Sequence, residues 1–165
     1  MNWQQIRLEI RRFVQDTSED SALQRWSSAI LLERANSVQQ EIVAFTGALE
    51  DRISINVVSG TAEYAFTSVI QIVKKVMWLD DNGVYVNLRK STETELEFIG
   101  GSAWRDEDGT PTHYYIRDNF VGLYPNPDIT RTAGLKVDII ERPPDLSADA
   151  DIPFDAEYQF YFAHE

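Results

Sequence analysis

Residues 102–146 read SAWRDEDGTPTHYYIRDNFVGLYPNPDITRTAGLKVDIIERPPDL, and this stretch decides the fold class. Trp104 leads into an acidic turn at Gly109-Thr110-Pro111. β-branched and aromatic residues then predict strands near 113–117, 119–123 and 135–141. Pro125 and Pro127 lack the N–H that a sheet ladder uses, so they mark the connection between the second and third strands. Pro143-Pro144 stops the third. The stretch reads as a meander of three short strands, and no catalytic motif lies in it.

Upstream, the period is helical. Trp3, Ile6, Ile10, Phe13 and Val14 share one face of a predicted helix over 3–15. Arg7, Arg11 and Arg12 lie off that face, as a solvated surface or a partner contact. The polar break DTSED at 16–20 offers Asp20 or Ser21 as a cap for a helix over 22–46. Its apolar positions include Leu23, Trp26 and Ile30. From Leu31 through Ala35, Val38 and Ile42 to Phe45 the steps alternate four and three, as in a helix that packs on another helix. Gly47 is a natural stop.

At Arg52 the period changes to two. Ile53, Ile55 and Val57 alternate with Arg52, Ser54 and Asn56, which predicts a half-buried strand. A short strand is expected within 62–66, a longer one over 70–79, and a return strand on Val84, Val86 and Leu88. Asn82-Gly83 between the last two signals a tight type I′ hairpin. Thr92 and Glu95 have capping-box spacing for a short helix that Gly100-Gly101 ends. Phe154, Tyr158, Tyr161 and Phe162 recur at helical spacing after Ile152-Pro153 and predict a short closing helix. The expected architecture is α+β: an N-terminal helix pair with one long helix, packed with an antiparallel β meander or sandwich-like sheet, and a short C-terminal helix or tail. It forms one domain over 1–165, with a helical segment over 1–47, a β-rich segment over 52–142 and a tail over 143–165.

Composition narrows the chemistry. The 165 residues are 43% hydrophobic and 12% aromatic, which is globular rather than disordered. The absence of cysteine excludes disulfides and thiolate metal sites. The N-terminal segment is charged throughout, without the apolar core of a signal peptide, and no run approaches the ~18 apolar residues of a membrane span. With 27 acids against 15 bases the net charge is −12, which opposes ordinary affinity for nucleic acid.

Motif by motif, catalysis finds no support. Neither His113 nor His164 lies in a serine-hydrolase motif, and there is no Gly-x-Ser-x-Gly elbow. Calcium loops need oxygen ligands at positions 1, 3, 5 and 12 with Gly at 6. Alignment on Gly109 puts Trp104 and Tyr115 at positions 1 and 12, and alignment on Gly83 puts Trp78 and Lys90 there, so both acidic clusters read as turns. HExxH and phosphate-cradling loops are missing. Among so many acids some glycosidase-like pair always looks plausible, which gives that reading no weight. Trp104, Tyr114 and Tyr115 remain, either as exposed platforms for sugar rings or as core and cross-strand pairs. The expectation is no catalytic residue, no cofactor and no metal.

The order of features resembles the head–tail adaptor (connector) proteins of tailed bacteriophages. The resemblance rests on the helix LLERANSVQQEIVAF, then Trp104, then Gly109, Pro111, Tyr114 and Tyr115, then Leu123, Pro125 and Pro127. Pro143, Pro144 and Leu146 follow, and Ile152-Pro153 leads into the closing helix, which relatives continue beyond the position of Glu165. The resemblance implies a structural, non-enzymatic virion protein at the head–tail junction, made in the host cytoplasm. It implies a homo-oligomeric ring of twelve copies that docks on the portal protein, extends the DNA channel and receives a tail or nozzle protein. Double-stranded DNA passes without specific binding, and no membrane is involved. Candidate portal or subunit contacts are Tyr158, Phe160, Tyr161, Phe162, Arg7 and Arg11. The alternatives from residue chemistry are another tail or virion assembly component and a carbohydrate-binding β-rich module.

Overall fold

A computed structural model describes residues 3–18 and 24–147. The chain forms two compact units: a helical one, up to Leu49 and again from Arg142, and a β one, Glu50–Glu141. The predicted closing helix lies outside the described residues.

In the helical unit, α1 spans Trp3–Phe13 and α2 spans Ser28–Thr46. α2 starts six residues later than the 22–46 reading. Ser27 is the N-cap, its hydroxyl accepting from Ile30 N at 3.3 Å. The preceding turn is held out of the helix by Asp16, whose carboxylate accepts from the N–H groups of Arg25 (2.8 Å) and Trp26 (3.2 Å). The expected caps Asp20 and Ser21 are outside the described residues. Gly47 ends α2 as expected, at φ 70°, with its N–H on Val43 O.

The buried stripe of α2 differs from the predicted seam. Leu31, Ala35, Gln39 and Val43 are buried at steps of four, whereas Phe45 is 95% exposed. On α1, Ile6 is buried but Phe13 is exposed, as is Val14 just after the helix. Gln39 in this stripe and Asn36 beside it bind backbone. Gln39 Nε2 donates to Pro144 O at 2.8 Å and Asn36 Oδ1 accepts from Leu146 N at 2.7 Å. These bonds hold the chain returning from the β unit, and Leu146 is buried.

The β unit contains β1 (Glu50–Val57), β2 (Glu63–Ala65), β3 (Ile70–Leu79), β4 (Tyr85–Asn87), β5 (Arg89–Lys90) and α3 (Glu93–Gly100). A 3-10 helix follows at Gly101–Asp106, then β6 (Asp108–Gly109), β7 (His113–Arg117), β8 (Phe120–Tyr124), β9 (Asn126–Pro127) and β10 (Arg131–Glu141). One sheet runs β1-β10-β3-β4, a second β2-β8-β7-β5, and β6 pairs with β9. Most neighbours are antiparallel, but β5–β7 and β6–β9 are parallel.

The meander holds only in its first half. β7 and β8 form the expected hairpin, with Tyr115 opposite Gly122. The third strand, β10, instead crosses to the other sheet and lies between β1 and β3, with Arg52 opposite Asp138 and Val137 opposite Val76. Its core face is as hydrophobic as that of β1 or β3, so it stabilises two partners where a meander would give it one. The β3–β4 hairpin also differs from a type I′ turn. Five residues, 80–84, connect the strands, and of the Asn-Gly pair Gly83 alone takes a positive φ (76°). Asp80 Oδ1 organises the loop by accepting from Asn82 N and Val84 N. The capping box of α3 is present as read: Thr92 Oγ1 accepts from Glu95 N and Glu95 Oε2 accepts from Thr92 N. Both sheets fill one core, with Val57, Trp78 and Val137 from the first and Tyr64, Tyr114 and Leu123 from the second.

Candidate interaction surfaces

Within the helical unit the arginines of α1 serve different ends. Arg11 is not on a solvated face: its side chain is 6% exposed and pairs with Asp16 at 2.7 Å. Its second nitrogen donates to Trp26 O at 2.9 Å. The backbone N–H donors, foremost that of Arg25, and the guanidinium of Arg11 hold the Asp16 carboxyl below its ordinary pKa. Arg12 pairs with Glu9 on the surface, and among the described residues Arg7 reaches only the Ser28 hydroxyl, at 3.4 Å. Arg7, Leu8, Arg11, Arg12 and Ser28 line a cavity of about 470 Å³. The other candidate contacts, Tyr158, Phe160, Tyr161 and Phe162, lie outside the described residues.

In the β unit the aromatic residues of the opening stretch are interior. Trp104, Tyr115, Tyr124 and Leu96 form a small buried cluster, with the Trp104 ring edge-on to Tyr115 at 5.4 Å and to Tyr124 at 6.0 Å. Burial, and then a hydrogen bond to Glu63, push the Tyr115 phenol well above its usual range. Glu63 and Glu93 tie Arg105 and Arg117 into a surface network around that phenol. None of these rings is free to stack on a sugar. His113 is half-buried, its Nδ1 2.8 Å from Thr112 Oγ1. Asp80 turns its carboxylate into its own loop, and the Val84 and Asn82 amides lower its pKa. Among the described residues no group of three or more His, Asp or Glu is placed to hold a metal ion.

What the surface does offer is apolar. Phe45 at the end of α2 and Phe98 on α3, 95% and 92% exposed, are exposed aromatics with no packing role in their own unit. Periodicity misassigned Phe45 to a seam. Phe98 carried a usable signal, being two residues past the buried Leu96 and so on the opposite side of α3.

The sequence matches the SU10 adaptor protein family over residues 1–164. The chain belongs to that family. This bears out the resemblance to phage head–tail adaptors, and the α+β class with its N-terminal helix pair agrees. No curated protein matches the sequence. Several of the residues that carried the resemblance to the adaptors are framework. Tyr114, Tyr115 and Leu123 are buried in the β unit, and Pro143 and Leu146 in the helical unit.

Proposed function

We propose that the chain is the connector adaptor of a tailed phage, docking on the portal ring, extending the DNA channel and presenting the surface to which a tail or nozzle protein attaches. Membership of the adaptor family along nearly the whole chain carries this reading. Exposed Phe45 and Phe98 support it, because large apolar side chains left in water suit a protein that acts by assembly. The net charge of −12 suits a channel wall that DNA passes without adhering. In this reading the assembled form is a ring of twelve copies with head-to-tail contacts that close, and the work is structural rather than catalytic.

The test is to mix the purified chain with isolated portal rings and follow the mixture by sedimentation and electron microscopy. A ring seated on the portal is expected, with acids facing its channel. No complex, or acids confined to the outer wall, overturns the corresponding element of the proposal. Removing residues 154–165 should abolish docking and leave a soluble, folded chain. Docking that survives removes Tyr158, Phe160, Tyr161 and Phe162 from the interface.

A further inference from the structure

The cavity on α1 is basic in a chain that is otherwise acidic. Arg11 is committed to Asp16 and to Trp26 O. Arg7 has no carboxylate partner among the described residues, and its Nε is buried without an acceptor. Arg12 shares only a solvated pair with Glu9. Half-exposed Leu8 adds apolar surface to the same cavity. The site therefore fits a ligand that carries both carboxylates and apolar groups.

The sequence contains such a ligand. Residues 148–165 hold Asp149, Asp151, Asp155, Glu157 and Glu165, no Lys or Arg, and the aromatics Phe154, Tyr158, Phe160, Tyr161 and Phe162. Residues 1–49 are nearly balanced, with Glu9, Asp16, Glu19, Asp20, Glu33 and Glu41 against Arg7, Arg11, Arg12, Arg25 and Arg34. Reach is not limiting. Leu146 is fixed to Asn36 on α2, and Asn36 is eight residues, ~12 Å along the helix axis, from Ser28 at the cavity. Eighteen residues extend to ~60 Å. A tethered segment meets a nearby site at an effective concentration of roughly millimolar, which favours its own chain over a second copy in dilute solution.

We propose that the cavity lined by Arg7, Leu8 and Arg12 is the docking site of the same chain's C-terminal segment, residues 148–165. The proposal stands whether or not the chain binds a portal. Since the chain has no cysteine, Ala163→Cys in the full-length protein takes a single nitroxide label. In an isotope-labelled sample, the amide signals of residues 7–12 and 28 should be lost, and should return when the nitroxide is reduced. Arg7→Glu with Arg12→Glu should abolish the effect, as should Asp155→Lys with Glu157→Lys, which leaves the helices untouched. The four changes together should restore it. Signals unaffected by the label overturn the proposal, as does a loss that persists through both charge reversals. A loss appearing only when label and isotope are on different copies also overturns it, since the occupant is then a neighbour.

Discussion

Gly122 faces Tyr115 across the β7–β8 ladder, and a Cβ there would collide with the phenol ring. The ring cannot step aside cheaply, because it is buried against Trp104 and its hydroxyl donates to Glu63 at 2.8 Å. Gly122→Ala should therefore cost about 1–3 kcal/mol by overpacking, read as a lower urea midpoint with an unchanged slope. An unchanged midpoint would mean that the ring has another place to go. Asp16 is the second decisive residue. Its folded pKa is depressed, so its contribution to stability is present above the unfolded carboxylate value of about 3.9 and is lost as pH falls through the folded value. Asp16→Asn should lower the melting temperature at neutral pH and flatten the acid limb of the helical unit's stability profile below about pH 4. An acid limb identical to that of the parent chain would assign the acid sensitivity to other groups.

Among the elements, the two units are unequally supported. The helical unit buries Ile6, Leu31, Ala35, Val43 and Leu146, whereas the β unit buries a shared core built from both of its sheets. Amide exchange at neutral pH should consequently be at least tenfold faster in α2 than in β10, a gap of about 1.4 kcal/mol in opening free energy. Equal protection would show that the units open as one. Local patterns foretold much of this layout. The alternation at Ile53, Ile55 and Val57, the capping box of Thr92 and Glu95, and the stop at Gly47 each depend on neighbours within a few residues, and each stands. The misses are non-local. The start of α2 is set by Asp16, nine residues before Arg25, and the place of β10 is set by strands roughly 60 to 90 residues away. Gln39 gave no hydrophobic signal, since its burial depends on a carbonyl at Pro144.

At the scale of the whole molecule, the candidate contacts were the least legible feature. Several residues behind the family resemblance, among them Tyr114, Tyr115 and Leu123, are framework, and framework leaves a periodic trace in sequence. Exposed side chains leave a weaker trace: periodicity placed Phe45 in a seam, and Phe98 is marked only by lying two residues past the buried Leu96. Arg11 shows the converse, a charged residue that reads as surface and is an interior strut. One architectural fact also bears on how the protein is made. Among the described residues β1 finds its only sheet neighbour in β10, with Arg52 paired to Asp138. Contacts of such sequence separation are slow to form, since the loop must close before they contribute. On the ribosome, neither β1 nor β3 can make its ladder to β10 until Arg131–Glu141 has emerged. The first sheet is thus completed only after every other strand of the β unit has been made, whereas the β7–β8 hairpin can zip as soon as it leaves the tunnel.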